Sequence, residues 1–163
     1  MKDYHKPLST RQRKYLRLIR NMIENLTDKQ FDMGRYMSDP TKEEKISVKT
    51  VLGSKKTKCG TVGCILGWSL ALIPEIRKYA NKCIDEEEKR IGHSYNWDWM
   101  DISNYVFEDG GEDDCFFYNA LFDAGYKSDR KMSIERIDYM LENGIPTSEI
   151  YGELPVVFKK YLR

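Results

Sequence analysis

The sequence predicts an α+β fold: a compact, predominantly helical single domain over residues 1–163, with a small β-hairpin. Two observations carry this expectation. Apolar residues recur at helical spacing in several segments bounded by proline or glycine. Only two short stretches, residues 31–36 and 46–52, read as extended. Composition agrees, because 40% apolar and 12% aromatic residues are enough to build a core and too many for a disordered chain.

The first helix is expected over residues 10–26. Tyr15, Leu16, Ile19, Met22, Ile23 and Leu26 form its apolar face. Arg13, Arg17 and Arg20 share another face, with Arg11 and Lys14 nearby. Residues 31–36 are the first extended stretch, and Asp39-Pro40 is a turn dipeptide. Alternation of Ile46, Val48, Thr50 and Leu52 with more polar neighbours predicts a strand, which pairs with the first stretch as the hairpin.

A short helix is then expected over residues 61–72, N-capped by Thr61. Pro74 opens the next helix, with Ile76, Tyr79, Ala80, Cys83 and Ile84 inward and Gly92 as its stop. The bulky run from Trp97 to Val106 has no clear period. Residues 108–114 are an acidic loop leading into a helix that carries Phe116, Phe117, Ala120 and Leu121. Ser133 caps a further helix with Ile134, Ile137, Met140 and Leu141 inward, ended by Gly144 and Pro146. Pro155 starts a last short helix through Leu162.

Charge selects no partner class, since the net charge is +1 and only local patches could steer binding. No apolar run approaches the roughly 20 residues that span a bilayer, so no membrane partner is expected. Residues 1–7 lack the apolar core of a signal peptide. A cytosolic location is the resulting expectation, with cysteines 59, 64, 83 and 115 as reduced thiols.

The densest segment is Cys59-Gly60-Thr61-Val62-Gly63-Cys64-Ile65-Leu66-Gly67-Trp68. Together with Phe31-Asp32-Met33, it resembles a group of small bacteriophage proteins that carry an F-D-M-like segment and a C-G-T-x-x-C-I-x-G-W/H signature. In that group a Leu-Phe pair often precedes a later helix, as Leu121-Phe122 does here. The resemblance spans residues 30–142 and is close only over residues 59–68. It implies a phage accessory protein in the host cytoplasm, of the kind that counters host defence or redirects host machinery. It carries over no functional residue.

Several chemistries are open to these residues, and each has a plainer counterpart. Lys55, Lys56 and Lys58 precede the expected helix start, where Gly60, Thr61 and Gly63 would offer amides to a phosphate. The ordered G-x-x-x-x-G-K-[ST] pattern is absent, and a solvated lysine loop is the plainer reading. Cys64 in a first helical turn invites nucleophilic chemistry, but only His5 and His93 exist as histidine bases. A small buried core residue is its plainer role. Cys59-x4-Cys64 lacks the second short ligand pair of a zinc site, so no metal and no cofactor is assigned. The acidic loop lacks calcium-loop order.

Arg13, Arg17 and Arg20 could meet an acidic protein, with nucleic acid disfavoured by the 26 acidic residues elsewhere. Trp97 and Trp99 lie roughly 200° apart if the segment is helical, so one is expected inward and the other toward a partner. The function expected is inhibition or sequestration of a host component, either a host protein or a small phosphorylated signal. An enzyme using Cys64 or a metal, and a virion component, stand as alternatives.

Overall fold

The computed structural model describes residues 3–33, 37–39, 44–53, 62–107 and 130–148. The architecture is helical α+β, as expected, with six helices and two small antiparallel sheets among the described residues. The acidic loop 108–114, the helix expected around Phe116–Leu121, the final helix 155–162, Cys59 and Cys115 lie outside the described residues.

Strand β1 (Asp3–Lys6) leads into α1 (Thr10–Asn25). Ser9 caps α1 through a reciprocal box: its hydroxyl accepts from the Gln12 amide at 3.2 Å and its own amide donates to Gln12 Oε1 at 2.9 Å. Gln12 is buried and donates onward to the Phe107 carbonyl at 2.8 Å. All six apolar residues expected inward on this helix are buried.

Strands β2 (Met37–Asp39) and β3 (Glu44–Lys45) form an antiparallel hairpin, and β4 (Val62–Gly63) adds to its other side. This hairpin is not the expected one: its strands are residues 37–39 and 44–45, not 31–36 and 46–52, and no strand forms over 46–52. Residues Val48–Gly53 form helix α2. Ser47 Oγ accepts from the Thr50 amide at 3.2 Å, and Val48, Val51 and Leu52 are buried at helical spacing. The alternation of β-branched residues fitted period two, but the cap and this triplet fit the helix.

Helix α3 (Ile65–Leu72) starts later than expected. Val62 and Gly63 belong to β4 and Cys64 holds the N-cap position, so Thr61 does not cap α3. Residues 65–71 are all buried, as befits a helix apolar on every side at the centre of a core. Helix α4 (Pro74–Ile91) has Pro74 in its first turn and Gly92 closing it at φ 77°.

The run of unclear period is helix α5 (Trp99–Phe107). Asp98 and Asp101 cap its start reciprocally, each carboxylate accepting the other's amide at 2.8 and 3.1 Å. Helix α6 (Arg130–Asn143) begins before Ser133, which is a buried interior residue and not a cap. Gly144 ends α6 at φ 94°, and Pro146 lies in strand β5 (Ile145–Ser148), paired with His5 of β1. One cluster of buried side chains links α1 through α6 and Ile145, with Trp68 and Phe107 among its largest members.

Candidate interaction surface

The two motif segments meet in space. Phe31 bridges to Gly63, whose carbonyl accepts from the Asp32 amide at 3.1 Å. The Gly63 amide donates to the Gln30 carbonyl at 3.0 Å, and Trp68 Nε1 donates to that same carbonyl at 2.8 Å. Met33 and Trp68 are buried beside this junction. Of the anion-site residues, Lys55, Lys56, Lys58, Gly60 and Thr61 lie outside the described residues. Gly63 is a strand residue whose amide is already bonded to the Gln30 carbonyl, so it offers no free helix-turn amide to a phosphate.

Cys64 is buried, and burial pushes its thiol up to about 11. The nearby amides of Gly67 and Leu66 favour the thiolate and are outweighed. A thiol held protonated at neutral pH is a packing group, not a poised nucleophile. Burial also raises Cys83, whose Sγ lies 3.7 Å from the Tyr105 carbonyl. No group of three histidine, cysteine or acidic side chains is placed to hold a metal among the described residues.

The arginine face is divided by its neighbours. Arg20 forks onto Asp138 of α6 at 2.5 and 3.2 Å and reaches Glu24 at 2.6 Å. Arg13 donates to the Leu141 carbonyl at 2.8 Å. Lys14 pairs with Glu75 of α4 at 2.6 Å, and Arg17 faces solvent. Two of the three arginines thus help seat α6, and Arg17 is left exposed.

Neither tryptophan is broadly exposed. Trp97 is buried, with edge-to-face contacts to Tyr95 and Tyr105 at 5.2 and 5.1 Å. Trp99 is half-buried against the core. Among the described residues the exposed aromatics are Tyr95 and Tyr105, 43% and 40% exposed, which sequence reading missed; both pack edge-on against buried Trp97. Glu88 fixes this corner: its carboxylate accepts from the Tyr95 amide at 3.0 Å and from Ser94 Oγ and Trp97 Nε1 at 3.3 Å, with Lys49 Nζ at 3.6 Å. The Tyr95 amide, foremost, and the Lys49 charge hold that carboxyl below the usual glutamate range.

Sequence reading also missed a groove of about 340 Å³ between the second half of α1 and the α3–α4 corner. Met22, Leu26 and Ile73 are buried in it, while Leu18, Leu72 and Pro74 line its sides and Asn21 and Asn25 its polar edge. It is a wide-open depression on the surface and not an enclosed pocket. Leu72 is 44% exposed at its edge, although it ends a helix otherwise wholly buried. The pattern suits an apolar side chain of a partner far better than a phosphate.

Compared with known proteins, this chain matches no family, no curated sequence and no solved structure.

Proposed function

We propose that this chain is a phage accessory protein that acts in the host cytoplasm by binding a host protein stoichiometrically, so inhibiting or sequestering it in host defence. The observation that carries the binding mode is the apolar groove flanked by Leu72, beside the solvent-facing Arg17. An apolar anchor site with a polar edge is the usual anatomy of a protein contact. The phage origin rests on the motif residues 31–33 and 59–68. A small phosphorylated signal has less support, because the Gly63 amide is occupied by Gln30. Catalysis by Cys64 has less support too, because burial keeps that thiol protonated.

The test is intact mass of the tagged, full-length chain purified from a bacterial host, taken under native and denaturing conditions. A one-to-one complex with a host protein, resolved into two polypeptides on denaturation, is the expected result. A native mass raised only by a nucleotide-sized adduct would move the reading to a small signal. A bare chain from every host growth condition would overturn it.

A further inference from the structure

We propose that the groove between α1 and the α3–α4 corner receives an acidic amphipathic helix of the partner protein, a deepening that rests on the host-protein reading above. Three observations converge on that occupant. The first is shape. Leu18, Met22 and Leu26 line the groove at four-residue intervals along α1, a run of two turns or about 12 Å. That length matches apolar anchors spaced i, i+3 or i+4 and i+7 on a guest helix.

The second is chemistry. The inner lining is aliphatic, so the anchors it fits are leucine-like or aromatic, and the Asn21 and Asn25 carboxamides lie where a guest helix would turn polar. Asn25 already donates to the Asn21 carbonyl at 2.7 Å, which steadies that edge.

The third is charge. Helix α1 carries Arg11, Arg13, Lys14, Arg17 and Arg20 and a single acidic residue, Glu24. Glu75 offsets Lys14, while Asp138 and Glu24 offset Arg20. Arg13 spends its donor on the uncharged Leu141 carbonyl, and Arg17 faces solvent one turn from Asn21. Lys78 is exposed one turn beyond Pro74 along α4. Along α1 and the first turn of α4, the two elements that flank the groove, basic residues outnumber acidic ones, with Glu24 and Glu75 the acidic members, and this excess favours an acidic helix over a basic one.

Two synthetic helical peptides serve as probes. Both carry leucines at i, i+3, i+4 and i+7; the polar face is glutamate in one and lysine in the other. Methyl resonances of Leu18, Met22 and Leu72 in the full chain are followed while each peptide is added. The glutamate peptide should move these signals and bind about tenfold more tightly than the lysine peptide at low salt, with the difference shrinking as salt rises. Arg17→Glu should erase or reverse the preference, and Leu72→Ser should weaken both peptides. Both positions are solvent-facing, so the fold is kept.

Equal binding of the two peptides, shifts confined to another surface, or no shift at all overturns the proposal. So does a dimer in sedimentation that buries Leu72, which would make a second copy the occupant. A host complex that survives both Arg17→Glu and Leu72→Ser overturns the groove assignment and leaves the host-protein reading standing. A groove that prefers the acidic peptide in a chain that captures no host protein does the reverse.

Discussion

The backbone carbonyl of Gln30 accepts the indole N–H of Trp68 at 2.8 Å, and the Gly63 amide shares the same oxygen at 3.0 Å. One acceptor thereby pins the start of the Phe31–Met33 segment, strand β4 and the middle of α3. The bulk of Trp68 is buried in the core while its only donor is spent on this junction. The two sequence motifs are thus two sides of one structural joint. That gives their residues a packing role that needs no ligand.

Replacing Trp68 with phenylalanine tests the joint. The carbonyl keeps its Gly63 donor, so it is not orphaned. The loss is one hydrogen bond and part of a buried ring, or about 1–3 kcal/mol. The urea midpoint should fall by the corresponding amount at unchanged slope. A midpoint that does not move would mean that the indole bond contributes nothing.

Gly67 is buried on α3, a helix whose neighbours enclose it from Ile65 to Ala71. Gly67→Leu forces four extra carbons into that packing and should cost roughly 1–3 kcal/mol or more by overpacking. An unchanged denaturation midpoint would place Gly67 at the surface and sink the position given to α3. Gly63, four residues earlier, belongs to β4 and so does not share this helix face.

Gly92 and Gly144 separate backbone strain from steric collision. Both have positive φ, at 77° and 94°, and both follow helices. A Cβ at Gly92 meets open space, whereas at Gly144 it would lie 2.6 Å from the Lys6 carbonyl oxygen. Gly92→Ala should therefore cost only the left-handed penalty of about 1–2 kcal/mol. Gly144→Ala should cost clearly more, because β1 must shift to admit it. Thermal melts of the two variants rank them, and equal losses would refute the collision.

The helices α1 and α4 were legible because their apolar residues keep a strict 3.6-residue period between clear ends. The Ser9–Gln12 box and the φ of Gly92 seal those ends. Helix α2 was not, because β-branched residues at 46, 48 and 50 satisfy a two-residue period, and the bond from the Thr50 amide to Ser47 together with burial of Val48, Val51 and Leu52 chooses the helix. The start of α3 was set too early, since the strand pairing of Val62 and Gly63 depends on distant Met37 and Ser38. The groove was illegible for the same reason. Leu18, Met22 and Leu26 read as ordinary helix residues, and the exposure of Leu72 is decided by where α4 turns away after Ile73. Of Arg13, Arg17 and Arg20 only Arg17 is exposed, because Arg13 and Arg20 find partners on α6 that no local pattern announces.

The buried thiol of Cys64 makes stability fall at alkaline pH. In the unfolded chain it titrates near its ordinary 9.0, and in the folded protein near about 11. Between those values the unfolded state loses its proton while the folded state keeps it. Stability is therefore fully present below about pH 9 and drains as pH rises toward 11. The shift corresponds to a loss on the order of 2 kcal/mol. Burial raises Cys83 as well, and Tyr15 is pushed from 10.0 to about 12, so both add to the same slope. Cys64→Ala should reduce the decline between pH 9 and 11 and leave the part that Cys83 and Tyr15 contribute. Alkylation of Cys64 at neutral pH should be slow in the native protein, and fast only in denaturant. Urea midpoints measured across that range in both proteins, with the alkylation rate alongside, make the check. A profile that Cys64→Ala leaves unchanged, or rapid alkylation of native Cys64, would show an accessible thiolate and reopen its candidacy as a nucleophile.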